Sequence, residues 1–211
     1  MRRRIDAVKI AGLPQSVPPD RPLMFVANHV SWWDGFVLRE VQRAIRPGAP
    51  LHTTMLESEL KRFPFLRLLG AVGIEPGVQG SVDQALDLLR ARVEERPDSV
   101  LLFFPQGQIW PSHRRPLGFR RGVDRFATRL RPLLLPTGIH AEPLNAVAPT
   151  FFVSLGEPHE WDTPSHKLEQ LVEAQLDAIL TFTARHGEDS PGAWPPRSIR
   201  LEELAANRAE C

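Results

Sequence analysis

At 211 residues, with 26 Lys and Arg against 25 Asp and Glu and a formal net charge of +1, the chain is long enough for one α/β domain with a substantial core. It carries no charge excess on which a nucleic-acid role could rest. The single cysteine is the last residue, Cys211, which excludes a disulfide framework and a cysteine-ligated metal and is compatible with a reducing, cytoplasmic setting.

Residues 1–20 open Met-Arg-Arg-Arg and carry Ile5, Val8 and Ile10, which reads as an N-terminal arm forming a short helix or a strand. The arm is too polar and too short for a signal peptide or a membrane span. Its basic start suits an anionic lipid surface, and equally a solvated arm packed lightly on the domain. The domain itself is expected over residues 21–186. Leu23-Met24-Phe25-Val26-Ala27 reads as a buried strand that delivers Asn28 and His29 to the end of a sheet, where the sites of open α/β folds sit. Ser31 reads as the N-cap of a helix whose apolar stripe is Phe36, Val37, Val41 and Ile45. Asp34 then falls in the first helical turn, favoured by the helix dipole and able to reach back to His29. A carboxylate so placed fixes the imidazole tautomer and leaves the other ring nitrogen as a general base, for which a hydroxyl is the natural proton donor. Alone, a His–Asp pair is a weak signal; its place between an apolar strand and an amphipathic helix strengthens it.

Leu51 to Thr54 reads as a short strand, Leu56 to Leu69 as one helix with Leu56, Leu60, Phe63, Leu66 and Leu69 inward, and Ala71 to Glu75 as another strand. Ser81 to Arg96 reads as an amphipathic helix capped by Ser81. The stretch Lys61-Arg62-Phe63-Pro64-Phe65-Leu66-Arg67 mixes cations and aromatics around a proline. It suits a membrane-facing or acyl-chain surface, with ordinary packing the preferred reading.

A second apolar run, Leu101 to Phe104, ends in Pro105-Gln106-Gly107-Gln108, a tight loop whose backbone can approach a ligand. Trp110, His113, Arg114 and Arg115 follow on a loop suited to a phosphate or a sugar face. A helix over Gly122 to Leu130 and strands over Leu133 to Leu135 and Val147 to Leu155 come next. His140 and His159 show no evident partners and are read as structural. A last amphipathic helix runs from Pro164 to Arg185, before an irregular, proline-rich tail over 187–211 with a short helix from Arg200 to Arg208. Strands alternating with helices indicate an α/β fold with a mixed central sheet flanked by helices. No metal-ligand cluster or phosphate-binding glycine loop stands out.

The order Asn28-His29-x-Ser31-x-x-Asp34, then Phe104-Pro105-Gln106-Gly107, then Leu135-Pro136-Thr137-Gly138-Ile139 resembles the glycerolipid acyltransferase family typified by lysophosphatidic acid acyltransferases, over about Pro22 to Gly156. The resemblance implies direct transfer of a fatty acyl group from an acyl-CoA or acyl carrier protein thioester to a hydroxyl of a lysophospholipid or related lipid. No cofactor, metal or covalent enzyme intermediate is implied. His29 matches the family's general base and Asp34 its orienting partner. Asn28 and Ser31 are taken with them as substrate-binding. Phe104, Pro105, Gln106 and Gly107 match the acceptor block, Phe119-Arg120-Arg121-Gly122 the aromatic-basic-basic-glycine stretch, and the segment around Pro136 a block tied to the donor or to packing. Two departures bear on the acceptor. Gln106 stands where the family has glutamate, and Gly70 to Gly77 puts Pro76 near the place of an arginine that grips the acceptor phosphate. Either Arg114, Arg115, Arg120 or Arg121 replaces that arginine, or the acceptor lacks the phosphate. A non-catalytic lipid-binding protein and an acyl-thioester hydrolase are the alternatives on the same scaffold. Relatives often carry an N-terminal hydrophobic helix that this sequence lacks, so the expected setting is cytoplasmic, with any membrane contact peripheral at the inner face of the cell membrane.

Overall fold

A computed structural model describes residues 4–14, 17–194 and 198–199 of the chain. Its organising element is β2 (Leu23–Ala27), five apolar residues that are all buried. β2 runs parallel to β5 (Val100–Phe103) on one side and to β6 (Leu133–Glu142) on the other. A strand covered on both faces has no use for polar alternation, which is why it reads as a continuous apolar run. Among the described residues the sheet has eight strands in the order β4-β3-β5-β2-β6-β7-β1-β8. Here β1 is Ala7–Ala11, β3 Leu51–Leu56, β4 Ala71–Ile74, β7 Thr150–Leu155 and β8 Ser198–Ile199. Strands β4, β3, β5, β2 and β6 point the same way, and β7 is antiparallel to β6, so the sheet is mixed, as expected.

Alternate side chains of β2 serve two cores. Leu23, Phe25 and Ala27 pack with Val37, Leu38 and Val41 of α1 (Asp34–Ile45). Met24 and Val26 pack with α3 (Ser81–Glu95), α4 (Gly122–Leu130) and α5 (Ser165–His186) through Leu89, Phe126 and Leu176. Each of these side chains larger than alanine contributes about 1.5–3 kcal/mol on burial. α5 lies close on β6 because Gly138 has no side chain: a Cβ there would come within 2.7 Å of the Leu176 backbone nitrogen.

Several expectations are corrected. The N-terminal segment is a strand and not a loosely packed arm: β1 pairs parallel with β7, and Ile5, Val8 and Ile10 are buried. Its apolar side chains are therefore in the core and unavailable to lipid. The first part of the tail is also built into the fold, through α6 (Ser190–Ala193) and Trp194, whose ring packs 5.2 Å from Phe152 and 4.8 Å from Phe182. The helix expected over Arg200 to Arg208 lies outside the described residues. The single helix expected over Leu56 to Leu69 is broken into α2 (Glu57–Arg62) and a 3-10 helix (Pro64–Leu69). Pro64 lacks an N–H and drives Phe63 out of the helical region, to φ −128° and ψ 68°. Leu56 pairs with Ile74 at the end of β3 and is exposed. Neither Ser31 nor Ser81 caps a helix: α1 starts after Trp33 and α3 after Gly80, and the Ser81 hydroxyl instead accepts the Glu75 N–H.

Candidate active site

Because β2 and β5 are parallel neighbours, the loops leaving their C-terminal ends meet, and this brings Asn28 to Asp34 against Phe104 to Gly107. The two are tied directly: the His29 N–H donates to Gln106 Oε1 at 2.7 Å. A second tie runs from the Trp110 N–H to the His29 carbonyl at 2.9 Å.

Asp34 is the anchor of the first loop. Its side chain has no exposure, and its Oδ2 accepts from the backbone N–H groups of Val30 (2.7 Å) and Ser31 (3.0 Å). The Ser31 hydroxyl donates to Oδ1 at 2.6 Å and accepts the Trp33 N–H at 3.1 Å. A carboxylate is acceptor-only, so four donors converging on it fix its place and orientation. The fourth donor is His29 Nδ1, 2.7 Å from Oδ2. With its proton on Nδ1, His29 carries a lone pair on Nε2, the tautomer being assigned from this hydrogen bond. Nε2 has no partner among the described residues, and the ring, partly exposed, stacks on Phe104 with centroids 4.4 Å apart. The arrangement is an oriented imidazole with one open nitrogen, the geometry of a general base.

The second loop is a turn closed by the Gly107 N–H donating to the Phe104 carbonyl at 3.0 Å, with Pro105 in the position its fixed φ suits. Gly107 has φ +70°, and the Arg120 guanidinium lies against it, 3.2 Å from where a Cβ would stand. The Arg120 N–H holds the Pro105 carbonyl at 3.0 Å. A glycine takes this backbone conformation without strain and leaves the guanidinium room to approach.

The family model for acyltransferases matches residues 9–140, a span that contains both loops and Arg120. The chain belongs to the acyltransferase family. The fold of this acyltransferase is similar to that of the 1-acyl-sn-glycerophosphate (LPA) acyltransferase PlsC from Thermotoga maritima, with a TM-score of 0.59 at 19% identity over 83% of this chain and 73% of that one. No curated protein sequence matches it.

Of the residues singled out in the sequence, His29, Asp34, Ser31, Phe104, Pro105, Gln106, Gly107 and Arg120 come together. Three residues expected to bind substrate also make structural bonds within the protein. Asn28 is buried and its carboxamide is committed to β6, donating to the Ile139 carbonyl and accepting the Ile139 N–H, both at 2.8 Å. Gln106 is likewise buried, with Oε1 on His29 and Nε2 donating to the Leu117 carbonyl at 3.1 Å. Ser31 buttresses Asp34. All three hold the loops in the acyltransferase. Arg121 is exposed just before α4 and its side chain makes no hydrogen bond or ion pair among the described residues.

Sequence reasoning missed the supports of the second loop. Glu169 on α5 accepts the Gly118 and Phe119 N–H groups and Glu173 the Leu117 N–H, next to Arg120. His140, read as partnerless, is held on both ring nitrogens, by Ser112 at 2.8 Å and Glu142 at 2.8 Å, and so pins the loop that follows Gly107. Two acids four apart on one helix face were a readable signal, but nothing in the sequence named their target. Arg115 is engaged by Asp177, and Arg114 stacks on Trp110 with its guanidinium carbon 3.4 Å from the ring centroid.

Proposed function

We propose that this acyltransferase moves a fatty acyl group from an acyl-CoA or acyl carrier protein thioester to a free hydroxyl of a lysophospholipid, with a lysophosphatidic-acid-like acceptor as the first choice. The observation that carries the reading is the 2.7 Å hydrogen bond from His29 Nδ1 to a buried, fully donated Asp34, which leaves Nε2 open. His29 Nε2 takes the acceptor's hydroxyl proton as that oxygen attacks the thioester carbonyl. Asp34 holds the imidazolium that forms. The tetrahedral intermediate collapses by breaking the carbon–sulfur bond, and the imidazolium returns its proton to the departing thiolate. Arg120 is the cation we assign to the acceptor phosphate, because its guanidinium lies against Gly107, in the turn whose Gln106 accepts the His29 N–H, whereas Arg115 is already paired with Asp177.

The test is product analysis by mass spectrometry with purified protein, an acyl thioester and a panel of acceptors that includes lysophosphatidic acid, neutral glycerol lipids, glycolipids and amino lipids. Wild type should give an acylated product, and His29→Ala should lower its formation to background while the thermal unfolding midpoint is kept. Arg120→Ala should raise KM for lysophosphatidic acid roughly ten- to a hundredfold, the cost of one charge-assisted contact, and leave KM for a neutral acceptor unchanged. Free fatty acid without any acceptor would identify a hydrolase. Lipid binding with no product from any acceptor would mark a non-catalytic protein.

A further inference from the structure

Three of the large apolar side chains left in solvent, Trp32, Phe65 and Leu68, share one corner of the molecule beside the proposed active site, while Val78, Leu88, Ile109 and Val147 are exposed singly on other segments. Phe65 is 46% exposed and Leu68 89%, and both lie on the 3-10 helix that Pro64 starts. With three residues per turn such a helix stacks positions i and i+3, so Phe65 and Leu68 form one outward row while Leu66 turns into the core. The row is continuous with the catalytic loop. Phe63 lies 6.4 Å from Phe65 and 5.7 Å from Trp32, which is 41% exposed and three residues beyond His29.

The exposed charge at the row's edge is mostly positive. Lys61 and Arg62 are exposed at the end of α2 and have no ion-pair partner among the described residues, Arg62 lying 5.1 Å from the Phe63 ring centroid. The nearby acid Glu57 is taken by Arg67 through two bonds of 2.6 and 2.8 Å, and Glu59 is half-buried. We infer that this corner, from Trp32 to Leu68, docks the protein on an anionic lipid surface, its aromatic and aliphatic side chains entering the headgroup boundary and Lys61 and Arg62 meeting lipid phosphates. Self-association through the corner would set those two cations against their copies, and a soluble acidic partner offers no apolar medium for a side chain as exposed as Leu68. No helix among the described residues is long and apolar enough to cross a membrane, so contact of this kind is interfacial. The inference deepens the proposed function, because an acceptor resident in the bilayer would then reach His29 past Trp32, but its geometry does not depend on turnover.

The experiment is co-sedimentation of the full chain with phosphatidylcholine vesicles, with and without phosphatidylglycerol, in the absence of substrate. Wild type should partition onto the anionic vesicles and release with added salt. A Phe65→Ser, Leu68→Ser pair and, separately, a Lys61→Glu, Arg62→Glu pair should each weaken partitioning at least about tenfold. Both should keep wild-type turnover of short-chain, water-soluble substrates. The charge pair lies wholly on the surface and decides the matter if the apolar pair fails to fold. Wild type that stays in the supernatant, or variants that partition as wild type does, would overturn the inference. So would a change of oligomeric state in the variants, which would make the corner a contact between copies, or loss of carrier-protein binding with vesicle binding intact. Docking without turnover would leave the inference standing and remove the proposed function, and turnover without docking the reverse.

Discussion

Asp34 shows how much one buried carboxylate can organise. Its four donors come from a seven-residue loop, and the sum fixes both the loop and the tautomer of His29. Gln106 does comparable work across a longer distance in sequence, joining the His29 N–H to the Leu117 carbonyl. Its replacement of the glutamate normal to the family had suggested a part in choosing the acceptor. The geometry gives it a structural part: a carboxylate can still accept from His29 but cannot donate to Leu117, and it would bury a charge against a carbonyl. Gln106→Glu should therefore lower stability by about 1–3 kcal/mol in urea unfolding while the order of acceptor preference stays as in wild type.

At the scale of elements, the corner that carries Phe65 and Leu68 exists because Pro64 breaks a helix that periodicity alone would have continued. The pattern Leu56, Leu60, Phe63 is helical in spacing, yet Leu56 belongs to β3 and the register changes after Phe63. Conversely, Gly138 is a point where two elements could not otherwise meet. Gly138→Ala would drive a methyl group into the backbone of α5 at Gln175 and Leu176, and no rotamer relieves a clash with backbone. We expect a loss of about 1–3 kcal/mol, read as a lower thermal midpoint, with the α5 supports of the second loop loosened in proportion.

At the scale of the whole molecule, the buried His52 sets an expected pH dependence of stability. His52 of β3 is held to a pKa of about 4, first by burial and then by the Arg92 guanidinium, 3.4 Å from its Nδ1. The unfolded chain takes up this proton near the ordinary value of 6.5 and the native one only near 4. The contribution is complete above the unfolded value and is lost as pH falls toward the folded one, up to about 3 kcal/mol in all. The denaturant midpoint of wild type should thus fall between pH 6.5 and 4, and His52→Gln should flatten that slope.

The sequence by itself determined the α/β class, the central buried strand, and the His29–Asp34 pair, because each is local: an apolar run, a helical stripe and a five-residue spacing are written in adjacent residues. It also named the second loop, through proline and glycine in a turn. Only the tertiary structure decided that Asn28 and Gln106 hold the loops and that Arg120, rather than Arg115, stands at the Gly107 turn. It also decided that β1 and Trp194 belong to the core and that His140 has partners. These depend on contacts between residues far apart in the chain, the His29 to Gln106 bond spanning 77 positions and the Asn28 to Ile139 pair 111. A side chain's residue type fixes what it can bond, whereas the partner it finds is set by which strands lie side by side.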